Sequence, residues 1–412
     1  MTEPTTTSLS PLTLGGPFAA LVQRRCQDLV AFRRDVHAHP ELARDEKRTT
    51  QLVAEQLEQY GLAVQLLPGT GLLAETGPSA SGPSEETRLV GLRADLDALP
   101  LDDVTPDPWR SEVPGVCHAC GHDVHTTALL GAGLALHDLH TQGLLPGRVR
   151  LIFQPAEEVM PGGAQDVVAA GGLIGVERVF ALHCDPSLDV GTVGLREGPI
   201  TAASDSVHVR LTGRGGHTSR PHLTDDLTFA LAKVVTDVPA ALSRVVDPRA
   251  GLSVVWGVVR AGVARNVIPS FGELAGTVRM LDVGVWDGAQ ETVTRLVHEV
   301  VAPYGVRAEV EYLKGVPPVV NEPVSASLLE AAAGVVLGTD RVHPAEQSMG
   351  GEDFAWFLEE APGALLRLGT RTPGGPTYDL HQGDLRVDEG CVAIGATLLA
   401  QVALEALHYG EK

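Results

Sequence analysis

The chain has 412 residues, 44% hydrophobic and 20% charged, a balance that suits a soluble globular protein with a substantial core. At roughly 150 residues per domain, this length predicts two or three domains. Lys and Arg number 31 against 52 Asp and Glu, a net charge of −21. So acidic a surface repels nucleic-acid phosphates and anionic lipid, which excludes both as expected partners.

No uninterrupted apolar run is long enough to span a bilayer, and the opening MTEPTTTSLSPLTLGG lacks the basic and apolar regions of a signal peptide. Five cysteines are too few and odd in number for a disulfide framework, so the expected compartment is the reducing cytoplasm.

In chain order, residues 1–15 are rich in Thr, Ser and Pro and read as a disordered tail. A helix is predicted over 17–37 from the spacing of Leu21, Val22, Leu29, Val30 and Phe32. Residues 77–86 (GPSASGPSEE) read as an exposed loop. Short apolar strands are predicted at 88–92, 149–153 and 178–182, with a helix over 124–139 between the first two. Each strand ends in polar residues: Arg93, Asp95 and Asp97; Gln154 and Glu157; and His183. Alternating strands and helices predict an α/β sheet, whose ligand crevice lies beyond the strand carboxyl ends.

The rhythm changes from about Ser204. Strands at 207–211, 252–259, 273–281 and 307–313, with helices at 223–246 and 285–301, give the βαββαβ order of a ferredoxin-like domain. The expected organisation is therefore a discontinuous α/β domain, 16–203 and 315–412, interrupted by an insert at 204–314.

The chemistry centres on Cys117-His118-Ala119-Cys120-Gly121-His122-Asp123-Val124-His125. Alone, Cys-x-x-Cys also fits a redox pair or half of a structural zinc site. A redox pair opens a helix in a thioredoxin-like setting, whereas here His122 and Asp123 follow; no second close Cys or His pair recurs for structural zinc. The strand ends add two adjacent carboxylates, Glu157 and Glu158, and the imidazole of His183, and His381 lies near the C-terminus. One thiolate, three imidazoles and a carboxylate suit zinc, cobalt, nickel or manganese rather than calcium or magnesium. Five ligands exceed the three of a simple catalytic zinc site and point to two ions. The other carboxylate is then available to move a proton. Cys120 as a nucleophile beside a histidine, and a non-catalytic metal binder, are the competing classes.

These residues resemble the peptidase M20 amidohydrolases, in the branch of hippurate hydrolases, N-acyl-amino-acid amidohydrolases and auxin-conjugate hydrolases. The resemblance is carried by RRDVHAHPEL (33–42), GLRADLDALP (91–100), CHACGHDVH (117–125), FQPAEE (153–158), GRGGHTSRPH (213–222), NVIP (266–269), GTVR (276–279), MGGEDFAWF (349–357) and LHQGD (380–384). It implies a catalytic α/β domain with paired metals and an inserted ferredoxin-like domain for lid closure or dimer contact. It also implies metal ligands at Cys120, His122, Glu158, His183 and His381, with Glu157 as general base. The expected substrate is a small N-acyl amino acid, and the expected assembly a homodimer or larger homo-oligomer.

Other roles follow by residue type. His217, in a Gly-Gly-His turn, is placed to donate to an oxyanion. Asn266 and Arg279 are candidates to hold the substrate carboxylate together. Asp95 and Asp123 are expected to hydrogen-bond ligand histidines or nearby groups and set their orientation. Gly351 stands where the family commonly has Ser, and Gln382-Gly383 where it has Ser-Pro.

Overall fold

The computed structural model describes residues 14–78 and 87–410. Residues 1–13 of the expected tail and 79–86 of the expected loop lie outside the described residues. The chain divides into two compact units, one formed by Met1–Gly198, Asn321–Glu346 and Phe357–Lys412, the other by Pro199–Val320 and Gln347–Trp356.

The first unit is built on an eight-stranded mixed sheet. Strand Leu89–Asp95 is buried at every position, as its unbroken apolar start demands, and pairs in parallel with Arg148–Gln154 and Arg178–Asp189. Arg178–Asp189 pairs in parallel with Gly363–Arg371 on its other side. Leu72–Thr76 runs antiparallel to Arg148–Gln154, and Val193–Leu195 antiparallel to Gly363–Arg371. The central strands thus deliver their carboxyl ends to one edge.

Helices His122–Thr141 and Gly390–His408 pack against each other and contribute much of the core. Their contact requires glycine: a Cβ on Gly131 would lie 2.9 Å from that of Ala396, and one on Gly395 3.0 Å from that of Ala128. Helix Gly390–His408 is long and apolar enough to cross a membrane by length and composition, although Gln401 and Glu405 interrupt its apolar run. However, 83% of its apolar window is buried inside the unit, as befits a core helix.

Two predicted elements differ in extent. The helix expected over 17–37 is two helices, Ala19–Gln23 and Cys26–Ala38, with Arg25 between them donating to Asp138 at 2.8 Å. The strand expected at 178–182 continues to Asp189.

In the second unit the order is strand Ala203–Thr212, helix Leu227–Val245, strands Ser253–Ala261 and Phe271–Met280, helix Val283–Val301 and strand Arg307–Val316. Ala203–Thr212 and Phe271–Met280 pair at the centre of a four-stranded antiparallel sheet. Along Ala203–Thr212, Val207, Val209 and Leu211 alternate into the core beneath Leu231, Val234, Val293 and Leu296. Asp205 is also buried, its carboxylate accepting from Trp286 Nε1 (3.0 Å), the Tyr312 hydroxyl (2.6 Å) and the Gly315 amide (2.9 Å).

Candidate metal centre

The edge formed by the central strands collects the candidate ligands. Helix His122–Thr141 opens after Gly121, whose φ of 83° lies in the left-handed region. A Cβ on Gly121 would also meet Cys184 Sγ at 2.8 Å, so the turn carrying Cys120 and His122 closes down on the middle of strand Arg178–Asp189, just past its pairing with Leu89–Asp95. Cys120 Sγ consequently lies 3.5 Å from His183 Nε2.

Two further turns bring in the carboxylates and the last histidine. Ala156 has φ 55° and His381 φ 60°, left-handed backbone that is costly for residues with a Cβ. Both are tied down: Ala156 N donates to buried Glu46 Oε1 at 2.7 Å, and His381 N donates to the Ala119 carbonyl at 2.8 Å. His381 Nε2 then stands 3.3 Å from Glu158 Oε1.

Candidate ligand atoms lie within 4.8 Å of one another in three overlapping sets: Cys120, His122 and His183; Cys120, Glu158 and His381; and His122, Glu157 and Glu158. The five expected ligands and the expected base therefore come together. Cys117 is in none of the clusters found among the described residues, and burial pushes its thiol up to about 12.

The electrostatics suit a cation. His122 is fully buried, yet neither ring nitrogen makes a hydrogen bond; the nearest acids are Asp97 at 3.4 Å, Asp95 at 3.7 Å and Glu158 at 3.8 Å. Burial works against a charged His122, but Asp95 and Cys120 outweigh it and raise its pKa well above the usual value. Burial raises the Cys120 thiol well above its ordinary value, so a thiolate here needs a cation beside it. Burial, assisted by Arg367, keeps His183 neutral with a lone pair to offer.

The two expected supporting acids contact different neighbours. Asp95 is held by Arg93 Nη1 (2.7 Å) and by His125 Nδ1 (2.6 Å); among the candidate ligand histidines only His122 comes near, at 3.7 Å. Burial alone would raise its carboxyl, but Arg93, His122 and His125 hold it well below the ordinary range. Asp123 contacts nearby groups rather than a candidate ligand histidine. It turns away from the cluster to Arg33 Nε (2.6 Å) and His37 Nδ1 (2.8 Å), because it lies one residue round the helix from His122 and faces the Cys26–Ala38 helix.

Sequence reasoning placed Asp97 at a strand end but gave it no role; its two oxygens accept the Glu157 amide at 3.0 Å and the Glu158 amide at 2.9 Å. The Asp-x-Asp spacing past a strand end was the available signal. It also missed Glu46, for which the sequence carries none.

The expected substrate residues belong to the second unit. His217 is exposed and pairs through its backbone with Val267, placing it beside Asn266, whose carbonyl accepts the Thr218 amide at 3.2 Å. This ladder extends beyond the Phe271 end of strand Phe271–Met280, whereas Arg279 lies eight residues further along that strand, about 26 Å away. Arg279 Nη1 donates to the Met349 carbonyl at 3.1 Å. One copy of the chain therefore does not bring Asn266 and Arg279 onto the same carboxylate, which corrects their expected joint role.

Acids, imidazoles and a thiol brought within 4.8 Å of one another on a mixed α/β sheet make the class that of a metal-binding α/β protein. Comparison with known proteins makes the assignment specific. The pattern of peptidase family M20/M25/M40 matches residues 91–405. An N-acetylcysteine deacetylase of Bacillus subtilis is 36% identical over 92% of this chain and 97% of its own length. Thermostable carboxypeptidase 1 of Saccharolobus solfataricus is also 36% identical, over 92% and 95%. The crystal structure of a Bacillus subtilis dinuclear metal binding peptidase from the M20 family superposes with a TM-score of 0.81 at 32% identity, covering 94% of this chain and 99% of that one. A longer Rhodococcus jostii protein, named for glutamate–cysteine ligase, is 49% identical over 92% of this chain, but the chain spans only 46% of its length. The chain belongs to the M20 peptidase family and is a metal-dependent amidohydrolase.

Proposed function

We propose that the protein hydrolyses the amide bond of N-acyl amino acids or related conjugates, using two divalent transition-metal ions held by Cys120, His122, Glu158, His183 and His381. The observation that carries this reading is buried His122, without a hydrogen bond on either nitrogen, within 4.8 Å of a thiol, an imidazole and two carboxylates. Such a mixed donor set fits zinc, manganese, cobalt or nickel. When bound, the ions supply Lewis acidity toward a carbonyl and water acidified to a pKa of about 7.

The chain's own residues supply the proton traffic. Glu157 follows the left-handed Ala156 and has its backbone fixed by Asp97. In this reading its carboxylate takes the proton of the attacking water and delivers it to the leaving nitrogen. His217 donates to the oxyanion of the tetrahedral intermediate, and Arg279 binds the substrate carboxylate.

The segment 204–314 serves as a ferredoxin-like lid and dimerisation domain inserted into a catalytic domain of 16–203 and 315–412. Two observations support a homodimer. Edge strand Ser253–Ala261 exposes Val255 and Val259, and His217 and Asn266 lie at the opposite end of the sheet from Arg279. A second copy would supply the pair that one chain keeps apart.

The second reading is a metallo-dipeptidase or carboxypeptidase acting on short peptides, which the carboxypeptidase relative favours. Metal analysis, followed by assay of N-acetyl and N-benzoyl amino acids against dipeptides at defined metal content, separates the two. Activity lost to a chelator and restored by cobalt or manganese, greater on the acyl amino acids, is expected. Activity that survives chelation but not thiol alkylation overturns the metal mechanism in favour of Cys120 as nucleophile.

A further inference from the structure

His125, one turn into helix His122–Thr141, is buried and lies among the candidate ligands, with its ring centroid 4.9 Å from that of His183. Both of its nitrogens are engaged. Nδ1 meets Asp95 Oδ1 at 2.6 Å, and Nε2 accepts the backbone N–H of Cys184 at 2.8 Å. An acceptor role at Nε2 fixes the proton on Nδ1, where it is donated to Asp95. No lone pair is left for a metal, so His125 is not a sixth ligand.

The residue it grips by the N–H is the one whose carbonyl meets His183. The Cys184 carbonyl lies 2.8 Å from His183 Nδ1, which therefore donates to it and leaves the Nε2 lone pair facing Cys120 Sγ at 3.5 Å. The Cys184 side chain meanwhile packs on Gly121, inside the turn that carries Cys120 and His122. Asp95, His125, the N–H and carbonyl of Cys184, and His183 form a relay from the end of strand Leu89–Asp95 to the interior of strand Arg178–Asp189. From this geometry we infer that His125 is a positioning residue: by holding the Cys184 amide it fixes the tautomer and direction of His183 toward the metal centre. The metal part of this inference rests on the ligand assignment proposed above; the tautomer part does not.

The two bonds of His125 can be separated by substitution. In His125→Gln the amide oxygen can still accept from Cys184, while the bond to Asp95 is weakened. In His125→Asn the amide can still donate to Asp95, while the acceptor for Cys184 is lost. Long-range proton–nitrogen NMR of histidine-labelled, metal-free full-length protein reads the tautomer directly. Titration of the same samples with cobalt reads affinity and the thiolate-to-cobalt absorption band.

The expected result is His183 in the Nδ1–H form in the wild type and in His125→Gln, with mixed tautomers in His125→Asn. Cobalt affinity in His125→Asn should fall about 10- to 100-fold with a weakened thiolate band, and should stay nearer wild type in His125→Gln. Wild-type His183 in the Nε2–H form, or equal behaviour of the two variants in both readouts, overturns the inference. Wild-type protein with the expected tautomer but no cobalt binding refutes the ligand assignment and leaves the positioning role standing.

Discussion

Asp97 receives the backbone N–H of Glu158 on one carboxylate oxygen at 2.9 Å and uses the other for Glu157 at 3.0 Å. The two glutamates therefore owe their placement to an acid sixty residues earlier in the chain. Asp97→Ala leaves both amides without that acceptor. At about 1.5–3 kcal/mol for a hydrogen bond to a charged group, it should destabilise the fold by a few kcal/mol. Metal affinity should fall with it, because both carboxylates lose their anchor. Urea unfolding of the metal-free protein and a metal titration check this; unchanged values in both would show that Asp97 anchors nothing.

Glu157→Gln removes the proposed base while keeping the side chain's shape. Loss of a positioned general base typically costs about 100- to 10,000-fold in turnover, so kcat should drop by that order. Metal content should remain at the wild-type level, since Glu158 is the carboxylate assigned as ligand. Elemental analysis beside steady-state kinetics makes the comparison, and full metal content with a near-normal rate removes Glu157 from the mechanism.

Behind the metal edge, His37 Nε2 lies 3.3 Å from Asp103 and its Nδ1 2.8 Å from Asp123. Burial and Arg33 press the His37 pKa down, but the two aspartates outweigh them and raise it above its ordinary value. Burial would raise the Asp103 carboxyl, but His37 and the amides of Ser111 and Thr105 hold it well below the usual range. A raised histidine stabilises fully below its unfolded pKa and loses that contribution as pH rises through the folded value. A depressed carboxylate stabilises above its unfolded pKa and loses its contribution as pH falls through the folded value. Both contributions are present together from about pH 4 to 6.5, between the unfolded values of the two groups. The stability difference between wild type and Asp103→Asn should therefore be largest near pH 5–6 and shrink on either side. A flat difference from pH 3 to 9 would mean that the pair is not charged as described.

The candidate metal site was legible because chemistry collects toward the carboxyl ends of parallel strands: Glu158 follows strand Arg148–Gln154, and His183 lies just past the part of its strand that pairs with Leu89–Asp95. The sequence did not announce the supports. Glu46 acts on Ala156 across 110 residues, and His125 depends on a backbone amide 59 residues away, so no local spacing reports either. Asp123 has the right residue type beside a ligand, but the helix turns it toward Arg33 and His37. Strand Gly363–Arg371 and helix Gly390–His408 are both near-continuous apolar runs, buried on all sides, and such runs lack the period that separates strand from helix. Asn266 and Arg279 look like partners in sequence because thirteen residues is a short separation, yet an extended strand converts it into the length of a sheet.

His381 sits in a loop whose course depends on a residue that departs from the common family pattern. A Cβ on Gly383 would lie 2.0 Å from the Asp102 carbonyl oxygen, a contact with backbone that no side-chain rotation relieves. The Gly383 carbonyl in turn accepts the Val104 amide at 2.9 Å, so the loop is docked against the segment that leads to Cys117 and Cys120. Gly383→Ala must move one backbone away from the other and carry left-handed His381 with it. A displacement near 1 Å is enough to cost about 100-fold in a site that works by positioning. The change should lower metal affinity and activity, while the core, remote from this loop, holds the unfolding free energy within about 1 kcal/mol of wild type. Cobalt titration and urea unfolding of the same preparation decide it: unchanged affinity would show that His381 does not depend on the close approach of Gly383 to Asp102.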